Sequence, residues 1–143
     1  MAPGKAGDAL VCEEAMVACG IGCRKGAPVE DIEAAIRAAR KAAACEDAIS
    51  VVGTEAGKLD EPGLREAVRR LGVALVGYDA EALNGVSNAI LTVSPAAQRH
   101  KGVFSVAEAA ALLAAGEDAV LLGPREAVQT ATCALAVGIG RET

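Results

Sequence analysis

The 143-residue chain has no tryptophan, one tyrosine (Tyr78), one phenylalanine (Phe104) and one histidine (His100). Without aromatics there is no platform for stacking the bases of a single-stranded nucleic acid. A formal net charge of -5 also repels a phosphate backbone. No nucleic-acid partner is expected. A Ser/His/Asp set would have to use His100, which lies in the weakly patterned stretch from Asn84 to Lys101, and no nucleophile elbow accompanies it.

Long apolar runs are also missing. Nothing approaches the roughly 20 uninterrupted residues that cross a bilayer, so no membrane contact is expected. Met1 to Ala9, with Pro3, Gly4 and Gly7, lacks the apolar centre of a signal peptide. The expectation is a cytoplasmic protein with a flexible leader over residues 1–10 and one domain over residues 11–143. The five cysteines, Cys12, Cys19, Cys23, Cys45 and Cys133, are odd in number and contain no C-x-x-C pair. Reduced thiols are the default in that compartment. Cys19 and Cys23 have no evident source for two further ligands, so neither a metal nor a cofactor is expected.

What the chain has in quantity is alanine, which swells the hydrophobic fraction to 52%. The core must be built from Ala, Val, Leu and Ile. Small side chains bury little area each, at about 25 cal/mol per Å², so stability must come from close packing of helices on a sheet.

Ala15 to Cys19 reads as a buried strand that breaks in Gly20-Ile21-Gly22-Cys23-Arg24-Lys25-Gly26, where glycines let the backbone turn and approach a ligand. Pro28 to Ala43 reads as a helix, with Glu30 and Asp31 in its first turn and Arg40 and Lys41 in its last. Ala48 to Gly53 is a second strand. A helix follows from near Asp60, with Pro62 in its first turn and Gly72 at its end. Val73 to Gly77 is a third strand, and Asp79 to Leu83 adds one helical turn. Ala89 to Val93 is a further strand candidate. Ser105 to Ala115 is a helix ended by Gly116. Ala119 to Leu122 and Thr132 to Val137 are two last strands, joined by too few residues for a parallel crossover and hence antiparallel.

This alternation predicts an α/β fold, a three-layer α/β/α sandwich with a mixed, mainly parallel sheet. Ligands in such folds sit beyond the carboxyl ends of the strands, where the glycine loop and the Lys58 loop both arrive.

Three stretches can carry chemistry. The first, Gly20 to Gly26, combines backbone N–H groups with Arg24 and Lys25 just before a helix, the makings of an anion site or merely of a tight turn. It lacks the endings of a P-loop or a dinucleotide fingerprint. Cys23 beside Arg24 and Lys25 would have a lowered thiol pKa, although a small buried hydrophobe is the commoner role. In the second stretch, Thr54 to Leu64, Lys58 can pair with a substrate carboxylate, while Asp60 and Glu61 are proton carriers if buried. Asp60 is equally an ordinary N-cap. In the third, Ser105 and Glu108 have capping-box spacing, which explains them more simply than catalysis.

Together these stretches resemble one family. G-I-G-C-R-K-G at Gly20 to Gly26, K-L-D-E-P-G-L at Lys58 to Leu64, S-V-A-E-A-A-A-L at Ser105 to Leu112 and T-A-T-C-A-L-A at Thr130 to Ala136 are similar, in this order, to CobE and the C-terminal domain of CbiG, proteins of cobalamin biosynthesis. The resemblance implies a place in the corrin pathway. In full-length CbiG the reaction opens a lactone on the cobalt-precorrin macrocycle and releases acetaldehyde, and this chain resembles only the C-terminal part. Where the family usually has a lysine, this chain has Arg125, which keeps the charge but not the option of a neutral amine.

Corrin precursors carry a rim of carboxylates. The implied ligand set is Gly20, Gly22, Cys23, Arg24, Lys25, Gly26, Thr54, Lys58, Ser105, Glu108 and Arg125, with Lys58, Asp60 and Glu61 in any catalytic role. An acidic protein can hold such a polyanion only through locally concentrated cations. The expected partner is a precorrin or corrinoid tetrapyrrole, with other enzymes of the pathway and a second copy of the chain as further candidates. A carrier of that intermediate is expected ahead of a lactone hydrolase, and both ahead of a small-anion regulator.

Overall fold

A computed structural model describes residues 16–86, 105–116 and 118–138. The leader, the strand expected over Ala89 to Val93, and His100 lie outside these residues. Strand β1 (Met16–Cys23) is followed by α1 (Val29–Ala43), β2 (Val51–Glu55), a 3₁₀ turn (Ala56–Lys58), α2 (Pro62–Leu71) and β3 (Ala74–Tyr78). Then come α3 (Ala80–Asn84), α4 (Val106–Ala115), β4 (Val120–Leu121), β5 (Glu126–Val128) and β6 (Ala131–Gly138).

The helix ends follow local chemistry. Ala44, in the left-handed region at φ 52°, closes α1 by donating its N–H to the carbonyls of Arg40 and Lys41, and Gly72, at φ 75°, closes α2 in the same manner. Ser105 Oγ accepts from the Glu108 N–H at 3.2 Å and opens α4. The expected cap at Asp60 is not formed. Backbone geometry puts Glu61 at that position, with Pro62 first in the helix, and the Asp60 side chain projects into solvent with Arg65 Nη1 at 3.7 Å.

The sheet runs β3-β2-β1-β6-β4, and β5 also pairs with β6. β1, β2 and β3 are parallel to one another, and β6 pairs antiparallel with β1, β4 and β5. Among the described residues, β6 alone therefore runs against the rest, so the sheet is mixed and mainly parallel in strand direction, although the three pairings made by β6 are antiparallel. β4 and β5 follow the same edge of β6. Between them four residues, 122–125, stand opposite two, 134 and 135, because Leu121 pairs with Ala136 and Glu126 with Cys133. This bulge accommodates Pro124, which has no N–H to offer a ladder. β5, within the stretch read as a plain connection, is what the sequence reading missed.

Alternation along β1 divides the core into two. Val17, Cys19 and Ile21 face Ile32, Ile36 and Leu64 of α1 and α2 together with Val52, Cys133 and Leu135. On the opposite face Ala18, Val51, Ala134 and Ala136 pack on Ala107, Ala111, Leu112, Ala114 and Ala115 of α4. Two crossovers on one face and α4 on the other make the three layers.

β1 does not break at Gly20. It continues to Cys23, and Gly20 and Gly22 lie within the ladder, opposite Ala134 and Thr132. A Cβ on Gly20 would overlap the carbonyl oxygen of Ala107, and one on Gly53 would stand 2.9 Å from that of Ala110. These glycines let the alanine face of α4 lie against bare backbone. That close contact is how a core without large side chains reaches interior density.

Candidate functional site

The carboxyl ends of β1 and β2 present two loops on the side of the sheet covered by α1 and α2. After Cys23 the chain turns through exposed Arg24, Lys25 and Gly26, with Gly26 at φ 81°. Two backbone bonds shape this turn: the Arg24 N–H donates to Thr130 O at 2.9 Å and the Ala27 N–H to Arg24 O at 3.0 Å. Asp31 strengthens the join, its Oδ2 accepting from Thr130 Oγ1 at 2.6 Å. The second loop is the 3₁₀ turn ending in half-buried Lys58, whose carbonyl accepts from the Glu61 N–H at 3.1 Å. The two loops meet where the Gly26 N–H donates to Glu61 Oε1 at 2.7 Å.

Cys23 lies between them, half-buried, with Lys58, Glu61 and Glu55 close enough to act on its charge. Burial pushes the thiol above its ordinary value; Lys58 opposes this, and Glu61 and Glu55 add to it. The activation expected from Arg24 and Lys25 is therefore reversed. Those two cations point to solvent, and desolvation is the largest influence on the sulfur.

The residues brought together are Cys23, Gly26, Lys58 and Glu61, with Glu55 as an unforeseen neighbour, while Arg24 and Lys25 lie exposed on the same turn as Gly26. Several expected members are occupied elsewhere. Gly20 lies packed under α4 and Gly22 lies in the β1–β6 ladder opposite Thr132, so both belong to the strand and not to the turn. Thr54 is fully buried and its Oγ1 donates to Ile21 O at 2.7 Å, stitching β2 to β1. Ser105 is spent as a helix cap. Glu108, also fully buried, accepts the Arg125 N–H at 3.2 Å through Oε2 and has the Arg125 guanidinium at 3.7 Å from Oε1. Arg125 thus sits at the β4–β5 bulge, turned toward Glu108 of α4. Asp60, fully exposed, lacks the burial a proton carrier was expected to have.

Among the described residues no group of three or more Cys, His, Asp or Glu side chains is arranged to hold a metal. No described helix is long and apolar enough to cross a membrane. The two loops mix Arg24, Lys25 and Lys58 with the carboxylates of Glu55, Asp60 and Glu61.

A family model described as cobalamin synthesis G C-terminus matches residues 17–136, nearly all of the described fold. The chain belongs to the cobalamin synthesis G C-terminal family. It is 32% identical over 118 residues to Protein CobE of Sinorhizobium sp, covering 82% of this chain and 77% of that one. A crystal structure of CobE, a protein from the cobalamin biosynthetic pathway, superposes with a TM-score of 0.75 at 32% identity, covering 86% of this chain and 93% of that one. The cobalamin biosynthesis protein chiG of Agrobacterium tumefaciens superposes at 0.63 with 41% identity, over 85% of this chain and 97% of that one. A cobalamin biosynthesis protein G homolog of Sulfolobus solfataricus shares the fold at 0.61 with 20% identity, over 88% of this chain and 38% of that one. The family resemblance read from the four motifs therefore holds, and the chain is a cobalamin biosynthesis protein.

Proposed function

We propose that this member of the family binds a polycarboxylate precorrin or corrinoid intermediate in the cytosol and carries it between enzymes of the pathway. The observation that supports the reading is that the loop carrying Arg24 and Lys25 and the loop carrying Lys58 are joined, at the carboxyl ends of β1 and β2, by the Gly26 N–H bond to Glu61. In an open α/β sheet this edge is the usual ligand crevice. Here β1 is also the strand at which the chain leaves β2 on one side and later returns as β6 on the other. Three cations and a backbone donor match several carboxylates on one ring rim better than they match a single phosphate. Each exposed ion pair contributes only about 0.2–1 kcal/mol, so affinity comes from several contacts made together. Any cobalt arrives inside the macrocycle as part of the cargo.

A spectral titration with a heptacarboxylic corrin tests this reading. Saturable binding that is lost when Arg24, Lys25 and Lys58 are all changed to Ala supports it, and absence of any binding overturns it. Supplying the lactone-bearing intermediate and assaying acetaldehyde separates carrier from hydrolase. Stoichiometric binding without product is expected, and catalytic release would assign Lys58 and Glu61 to the lactone-opening reaction instead.

A further inference from the structure

The Glu61 side chain makes an unusual choice. It stands at the N-terminal boundary of α2 but makes no hydrogen bond to the first turn of its own helix. Its Oε1 instead reaches the Gly26 N–H, 35 residues away in sequence, at 2.7 Å. Each loop also has backbone bonds of its own. The Gly26 turn is closed by its own bonds to Thr130 and Arg24, and the Glu61 backbone is held by Lys58 O on one side and the Arg65 N–H on the other. The space beside Gly26 is open, with no atom beyond its two chain neighbours within 4 Å of where a Cβ would project. A carboxylate thus already rests on the amide of an exposed glycine that follows Arg24 and Lys25 in the chain, and it comes from the loop that carries Lys58.

We infer that the Gly26 amide is a carboxylate subsite held closed by Glu61, an internal carboxylate that occupies the place of one ligand carboxylate and swings away when the ligand binds. The inference rests on the proposed polycarboxylate reading and adds a threshold to it. A tethered carboxylate competes at an effective concentration in the millimolar range, so a simple monocarboxylate cannot displace it. A ligand bearing several carboxylates can, because it engages Arg24, Lys25 and Lys58 at the same time. The subsite therefore selects for polycarboxylates over the small anions of the cell.

Amide NMR of the whole chain tests this with acetate and tricarballylate as probes. In the unaltered protein the Gly26 resonance is expected to ignore millimolar acetate and to shift with tricarballylate. In Glu61→Ala, acetate is expected to shift it saturably, with half-saturation at least about tenfold below that of the unaltered protein. Glu61→Gln, which keeps an oxygen acceptor without the charge, should fall between. A Gly26 amide that ignores both probes in Glu61→Ala overturns the inference. So does collapse of the Arg24 and Ala27 resonances in that variant, which would make Glu61 a clasp that shapes the loop. Because the probes are not corrins, a protein that shows this pattern yet binds no corrin keeps the subsite and loses the proposed cargo.

Discussion

The Cα of Gly20 in β1 lies directly beneath the carbonyl oxygen of Ala107 in α4, with the Ala111 nitrogen 2.5 Å from where a Cβ would stand. Neither neighbour can yield, since both are helix backbone. Gly20→Ala is expected to destabilise the fold by about 1–3 kcal/mol or more, lowering Tm by roughly 3 °C or more per kcal/mol. Gly57→Ala, where a Cβ meets nothing within 4 Å, should leave Tm nearly unchanged. Thermal melts of the two variants check the contrast, and equal effects would refute the packing account.

Glu108 and Arg125 should respond unequally to substitution. The Glu108 carboxylate is fully buried and anchors the β4–β5 bulge through the Arg125 backbone. Glu108→Ala is expected to cost about 2–4 kcal/mol, because it empties a packed position and strands the Arg125 N–H. Arg125→Lys keeps the backbone bond and the charge, and should cost under about 1 kcal/mol. Denaturant unfolding would measure both.

The cysteines should divide by burial. Cys19 and Cys133 are fully buried with their sulfurs 3.2 Å apart, and the hydrogen bond between them, then burial, holds the Cys133 thiol well above its ordinary value. In a Cys12→Ser variant, a polar thiol reagent at pH 8 is expected to modify Cys45 and Cys23 in the native protein, and Cys19 and Cys133 only on unfolding. Mass spectrometry of the labelled sites decides this.

Acid should act on Glu66 late. Hydrogen bonds from Arg69, at 3.0 and 2.6 Å, and from Arg70, at 2.9 Å, hold its carboxyl down at about 2 against an ordinary 4.5. A depressed folded pKa stabilises the native state above the unfolded value, and this contribution fades as pH falls from about 4.5 through about 2. The cluster is solvent-exposed, so the effect is small. The Glu66 carboxyl carbon followed by NMR should titrate near the lower value, and a midpoint near 4.5 would show that the hydrogen bonds do not persist in solution.

Lys58→Ala should weaken corrin binding by about two- to fivefold, the loss of one partly exposed ion pair, and Lys58→Arg should restore most of it. Asp60→Asn should change nothing. An unchanged affinity in Lys58→Ala would remove that residue from the site.

Much of this fold was legible in residue order. Gly72 closing α2, Pro62 in the first turn and Ser105 capping α4 are set by neighbours a few positions apart, and the short connection sufficed to read the antiparallel pairing of β4 with β6. The site was legible only in part. Arg24, Lys25, Gly26, Lys58 and Glu61 do converge, because parallel crossovers bring the loops after β1 and β2 to one edge. Glu55 was missed because the last residue of a strand carries no mark of what it will face.

Arg125 shows the limit most clearly. Its charge and position suited an anion site, but the bulge turns it toward Glu108 on the other side of the sheet.

The amino-acid order by itself determined most of the strands and helices, how most of the helices end, and the family to which the chain belongs, since these depend on short-range periodicity, caps and motif spacing. Only the tertiary structure decided what each glycine and carboxylate does. Gly20 looks like a turn until α4 is laid across it, and Glu61 looks like a proton carrier until Gly26 comes within 2.7 Å. Both roles depend on partners brought close by the fold and far away along the chain.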